Sequence, residues 1–258
     1  MRLSCSNIAW PQDQDETVYA LMKELGYTGL EIAPTRFFSE RPYDCKALMY
    51  EKSAVLREQF GLRVVSMQSI LYGRGECLFE PDQAELLLDY LDQAFSFGEA
   101  VGGCNFVFGC PRNRIMPDGR TEKDAFPFFE RAVESAGKHG CVLSLEANPP
   151  MYGTNFINTT REAFSFARKV PGLKVNLDFG TIINQCESLK AVASNSNLIG
   201  HVHISEPGLV PVIRRQEHSE LADMLREQDY DGYVSVEMKQ TDTETIRSVL
   251  SYVSEVFK

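Results

Sequence analysis

Histidine is scarce in this chain: four in 258 residues, beside a single tryptophan. Positive charge is also short, since 26 lysines and arginines face 36 aspartates and glutamates for a formal net charge of −10. That balance repels polyanions, so no nucleic acid partner is expected. No apolar run is long enough to span a bilayer, which excludes a helical membrane protein. The first residues, Met1 to Asn7, lack the apolar core of a signal peptide. None of the seven cysteines forms a C-x-x-C pair, which removes the common redox and zinc motifs. Cys5, Cys104, Cys110 and Cys141 sit in or beside apolar strand-like runs. Reduced, mostly buried thiols in a cytoplasmic protein are therefore expected. No linker, low-complexity tract or composition shift divides the chain, so residues 1–258 are expected to form a single domain.

What is present is an alternation of short β-rich runs and amphipathic stretches. Strands are expected at Arg2 to Trp10, Gly29 to Ala33, Leu62 to Ser69, Cys104 to Gly109, Cys141 to Ala147, Leu173 to Phe179, Leu198 to Ser205 and Tyr233 to Met238. Helices are expected at Asp13 to Leu25, Tyr43 to Phe60, Asp82 to Phe97, Thr121 to Lys138, Thr159 to Lys169, Glu187 to Asn195, Ser219 to Gln228 and Thr241 to Phe257. In the first, Val18, Leu21, Met22 and Leu25 recur at helical spacing before the stop at Gly26. In the third, Leu86, Leu87, Tyr90, Leu91, Ala94 and Phe95 form one apolar stripe. Eight strand-helix units of roughly 30 residues point to an α/β fold, a (β/α)8 TIM barrel. A doubly wound open sheet would want a glycine-rich first turn, and the first strand has none.

The last four strands carry polar residues on one face only. Ser144, Glu146 and Asn148 share a face of the fifth, Asn176 and Asp178 of the sixth, His201 and His203 of the seventh, and Ser235, Glu237 and Lys239 of the eighth. The alternate positions are Leu, Val, Ile or Met. In a barrel the apolar face meets the helices, so the polar face points inward. Glu146, Asp178, His203 and Glu237 then meet at the C-terminal ends of the strands, where barrel active sites lie. Taken singly, a buried glutamate or histidine in a strand is more often a satisfied structural residue; the case rests on four that agree in position and facing. Three converging carboxylates repel unless a cation joins them. One divalent metal ion resolves the conflict, and oxygen-rich ligation with one imidazole suits Mn²⁺, Mg²⁺, Co²⁺ or Zn²⁺. His201, Lys239, Glu31, Gln68, Asn148 and Arg114 are left as supporting or substrate-facing groups. Glu31 has a plainer reading as an ion-pair partner of Lys239. Arg112 and Arg114 follow the fourth strand and either grip an anionic group or belong to a solvated loop. Trp10 is either a wall for a sugar or core, and His139 and His218 read as surface residues.

At Leu145-Glu146-Ala147-Asn148, Asn176-Leu177-Asp178, His201-Val202-His203 and Ser235-Val236-Glu237 the chain resembles the sugar phosphate isomerase/epimerase superfamily of xylose-isomerase-like barrels. That superfamily includes ketose 3-epimerases, hydroxypyruvate isomerase-like enzymes, inosose dehydratases and the endonuclease IV type of repair enzyme. The similarity runs over essentially the whole chain. It implies that Glu146, Asp178, His203 and Glu237 hold a divalent metal, and that Glu146 and Glu237 are the catalytic acid/base pair. The expected activity is a metal-dependent isomerase or epimerase working on a small keto-sugar or sugar phosphate through an enediolate. A lyase of the inosose or dehydroshikimate dehydratase type is the alternative, with a repair endonuclease or a non-catalytic sugar-binding barrel behind it. A homo-oligomer is compatible with the pattern. Two departures stand out. The family's epimerases carry a histidine three residues after the metal aspartate, where this chain has Thr181. They also carry a substrate-binding arginine soon after the metal histidine, and Ser205 to Val212 contains none. A repair endonuclease needs many histidines for a three-metal cluster, and four do not supply them.

Overall fold

Period-2 alternation gives every strand an apolar face and a polar face, and closure of the sheet satisfies both at once. The computed structural model describes residues 1–258. Its strands are β1 (Arg2–Ser6), β2 (Gly29–Ile32), β3 (Arg63–Met67), β4 (Asn105–Phe108), β5 (Val142–Glu146), β6 (Lys174–Asp178), β7 (Ile199–Ile204) and β8 (Tyr233–Val236). They close in sequence order into a barrel whose neighbours are all parallel, β8 pairing with β1. All eight expected strands are present. The first is shorter than expected, because the chain turns at Asn7–Ala9 instead of running on to Trp10.

The helices are α1 (Asp15–Glu24), α2 (Pro34–Phe37), α3 (Lys46–Phe60), α4 (Pro81–Glu99), α5 (Phe126–Lys138), α6 (Thr160–Ala167), α7 (Phe179–Asn184), α8 (Lys190–Ala193), α9 (Gln216–Glu227) and α10 (Thr243–Phe257). Local chemistry sets their ends. Gly61 stops α3 in the left-handed region at φ 70°. Thr159 and Glu162 form a reciprocal capping box on α6, and Asp242 accepts from the Thr245 N–H to start α10. The region after β6 differs from expectation. The helix expected over Glu187 to Asn195 is reduced to the single turn α8, and α7 starts straight from the strand. Asp178 sets the start of α7: its side chain accepts from the Thr181 N–H at 2.8 Å and caps the helix at the strand end.

The outward strand faces, among them Leu143, Leu145, Val175, Leu177, Val202, Ile204, Val234 and Val236, are buried under the helix layer. Each such side chain contributes about 1.5–3 kcal/mol by leaving water. Edge-to-face phenylalanines knit α5 and α6 to the sheet, with Phe129 lying 5.0 Å from Phe108 and 5.2 Å from Phe166. On α4, Leu86 is exposed and Leu88 is buried in its stead. The barrel interior is polar and tightly bonded. Asn105 donates to Ser66 and accepts from Ser144, and the Ser235 hydroxyl donates to that of Ser4. Small polar residues in this layer bond one another across strands, while Asn7 Nδ2, Asn176 Oδ1 and Glu31 Oε1 stay without a partner.

No helix is long and apolar enough to cross a membrane. The cysteines are all free; Cys5, Cys104 and Cys141 are buried, Cys110 is half-buried and Cys186 is exposed. His139 lies at the surface between Glu99 and Asp92, as expected. His218 does not. It is fully buried against Phe179, and its Nδ1 lies 2.9 Å from the Tyr252 hydroxyl. Helix α9 begins three residues before the expected start, which places His218 on the inward stripe with Leu221, Ala222 and Leu225.

Candidate active site

Glu146, Asp178, His203 and Glu237 each offer one ligand atom, and these four atoms lie within 4.8 Å of one another. They do not share one register row. His203 pairs with Asp178 on β6 and with Ser235 on β8, whereas Glu146 pairs with Asn176. The stagger of a tilted barrel brings residues two positions apart in register to one level.

His203 is the hub. Its ring is fully buried, with Nε2 2.9 Å from Glu31 Oε2 and Nδ1 3.1 Å from both Glu146 Oε1 and Glu237 Oε2. Nε2 faces Glu31, which leaves Nδ1 aimed at the carboxylates, where deprotonation would free its lone pair for a cation. Nδ1 has no hydrogen-bond partner. His201, one layer deeper, places its Nε2 3.1 Å from the same Glu31 oxygen. Glu31 is therefore the partner of two imidazoles and forms no ion pair with Lys239. Lys239 is exposed, because β8 ends at Val236 and the inward alternation stops at Glu237.

Two of the three carboxylates are held from behind. Asn176 donates to Glu146 Oε1 at 2.6 Å, and Asn148 donates to Oε2 at 3.0 Å. Asp178 Oδ1 accepts from the Ser205 hydroxyl, and Oδ2 accepts from the Thr181 hydroxyl at 2.7 Å. Thr181, standing where the family's epimerases have histidine, thus orients Asp178 without reaching into the cavity. Arg114 is fully buried; it donates to the Glu146 carbonyl at 2.9 Å and to Asn148 Oδ1 at 2.7 Å. It braces the end of β5 and is not a solvated loop residue. Gln68 donates to Ser6 and lines the cavity. Trp10 is core: it is buried and donates to Asp15.

Crowding of like charge shows in the acidities. Burial, offset in part by His203 and reinforced by the charges of Glu146 and Asp178, pushes Glu237 up to about 7. Burial and the charge of Glu146 raise Asp178 as well. Burial works against a cationic His203, but Glu31 and Glu237 overcome it and raise the ring well above its usual value. Burial also opposes charge on Glu31, and the two imidazoles more than offset it, holding that carboxyl well below the usual range. A buried imidazole nitrogen without a partner, set among three carboxylates, fits a hard or borderline divalent cation.

Above the cluster lies a cavity of about 540 Å³, lined by Glu146, Asp178 and Glu237 at its base and by Gln68, Arg74, Arg112, Asn148 and Tyr152 on its walls. Gly109 is required here: a Cβ at that position would lie 2.8 Å from Glu146 Oε2. The β7 loop supplies no free cation, since Arg215 is bound to Glu206 at 2.6 Å and Arg214 to Glu255 at 2.9 Å. Three contributors escaped the sequence reading. Ser205 continues the period-2 face of His201 and His203, a signal that was available. Gly109 and Tyr152 sit in loops that carry no periodic signal.

The structure is similar to that of 3-keto-D-glucoside 4-epimerase YcjR from E. coli, with 20% identity, a TM-score of 0.73 and coverage of 99% of this chain and 98% of that one. It is also similar to D-allulose 3-epimerase from Methylomonas sp., with 18% identity, a TM-score of 0.76 and coverage of 99% and 95%. AP endonuclease family 2 from Brucella melitensis gives 17% identity, a TM-score of 0.74 and coverage of 99% of both chains. At these identities the likeness establishes the fold alone. No curated protein matches the sequence. The family profile described as xylose isomerase-like TIM barrel matches residues 19–252, and the chain belongs to that family.

Proposed function

We propose that the protein is a divalent-metal-dependent epimerase or isomerase of a small keto-sugar or sugar phosphate. The observation that carries this reading is the convergence of Glu146, Asp178, His203 and Glu237 within 4.8 Å at the base of an open cavity at the C-terminal mouth. The sugar epimerases among the structural neighbours agree with it.

Those four residues would hold the ion, through carboxylate oxygens and His203 Nδ1. The ion, when bound, supplies Lewis acidity that polarises a carbonyl and acidifies the adjacent C–H. The remaining chemistry belongs to the chain. Glu146 accepts amide hydrogen bonds at both oxygens, so its carboxylate is fixed facing the cavity as a proton acceptor. Glu237, the other glutamate at the base of the cavity, takes the second proton-transfer role. With one group removing the proton from carbon and the other returning it, reprotonation on the opposite face of the enediolate epimerises that carbon. Reprotonation of the neighbouring carbon isomerises the sugar. Asp178 and His203 stay fixed by Ser205, Thr181 and Glu31 throughout.

The test is a screen of keto-sugars and their phosphates in D₂O, with solvent deuterium incorporation next to the carbonyl as readout. Glu237→Gln keeps the fold, and its exchange and turnover fall at least about a hundredfold. Near-wild-type exchange in that variant overturns the assignment.

A further inference from the structure

The N-terminal mouth of the barrel, opposite the candidate active site, holds a second cavity of about 450 Å³. Its charged lining residues are Arg2 from β1, Arg57 from α3 and Arg63 from β3, and no carboxylate residue lines it. None of the three forms an ion pair, although Arg36, Arg131, Arg215 and Arg226 all do. In a chain of net charge −10, three unpaired guanidinium groups around one hollow are a local reversal of sign. Arg2 is pre-positioned: its Nε donates to the Asp231 carbonyl at 2.9 Å, and the guanidinium stacks on the Tyr233 ring at 4.3 Å. Asp231 lines a neighbouring depression that Arg2 also borders, and it does not line this cavity. The walls add Asn105, already bonded to Ser66 and Ser144, and apolar surface from Val64, Val65 and Val101. At its inner end lies His201, the imidazole that contacts Glu31 beneath the metal-binding cluster.

We propose that this mouth is a binding site for a small phosphorylated molecule, distinct from the substrate cavity. Guanidinium forks match phosphate oxygens in pairs, and fixed, unpaired forks bind them best. The hollow is larger than a phosphate group, and its apolar wall and the Tyr233 ring accommodate the carrier. The site does not depend on the activity proposed above, and it touches the far side of the His201–Glu31 support.

The experiment is calorimetric titration of inorganic phosphate into the full-length protein as purified, comparing wild type, R57Q/R63Q, R2Q and H203A. Arg2, Arg57 and Arg63 are exposed, so neutralising them leaves the packing intact. Binding is expected in wild type and H203A, with at least about tenfold weaker affinity in R57Q/R63Q and a loss in the same direction in R2Q. Absence of binding up to about 10 mM phosphate overturns the site. So does binding that is lost in H203A and kept in R57Q/R63Q, which would place the anion at the candidate active site.

Discussion

Replacing Glu31 with glutamine isolates one charge behind the metal-binding cluster. His201 and His203 both approach a single oxygen of Glu31, Oε2, at 3.1 and 2.9 Å, while Oε1 is buried without a partner. The carbonyl of a glutamine can take the place of Oε2 and keep both contacts, and its amide then fills the position of the unpartnered oxygen. The contacts to both imidazoles survive while the negative charge goes, and two amide N–H groups are added where Oε1 has no partner. That charge orients His203 and raises the basicity of Nδ1, the nitrogen that faces the carboxylates. Loss of such a support costs about 10–100-fold in metal affinity, or about 1.4–2.8 kcal/mol. The assay is competitive titration of Mn²⁺ or Co²⁺ against a chromogenic chelator, with urea unfolding as a control on the fold. An affinity within about threefold of wild type would refute the role given to Glu31.

Two other changes probe neighbouring links. His203→Ala removes the hub and should abolish measurable metal binding, whereas His201→Asn should weaken it about tenfold. Equal and negligible effects in the same titration would make the β7 pair mere packing. His218 has its pKa pushed down to about 4, chiefly by burial, so the native state resists a proton that the unfolded chain accepts near 6.5. Its contribution to stability is therefore complete above about pH 6.5 and is lost as pH falls toward 4, to the extent of about 3 kcal/mol. Urea unfolding at both pH values, compared between wild type and His218→Gln, reads this as a pH-dependent gap; a pH-independent gap would contradict it.

The barrel was legible because its strands separate two chemical environments. Leu143 and Leu145 against Ser144 and Glu146, or Val202 and Ile204 against His201 and His203, report facing directly in a period of two. The site was legible for the same reason, since its four converging residues lie on or immediately after strands. Where the alternation ends, so did the legibility. Lys239 follows β8 by three residues, and period-2 reasoning carried it wrongly into the barrel. His218 lies one residue before the expected start of α9 at Ser219, which hides its helical spacing from Leu221, Ala222 and Leu225. Arg114 lies in the β4–α5 loop, where no periodicity distinguishes a buried brace from a solvated cation. The α7 start shows the converse. A strand-end aspartate followed three residues later by a backbone donor is a cap signal, and Asp178 both caps α7 and stands in the candidate metal cluster.

The account turns on whether Glu146, Asp178, His203 and Glu237 hold a divalent ion. Elemental analysis of the purified protein, wild type beside His203→Ala, measures this directly, with deuterium exchange followed before and after chelation. The predicted result is close to one Mn, Mg, Co or Zn per wild-type chain, none in the variant, and exchange that chelator abolishes and added metal restores. Metal-free wild-type protein whose exchange is indifferent to chelator would contradict the account.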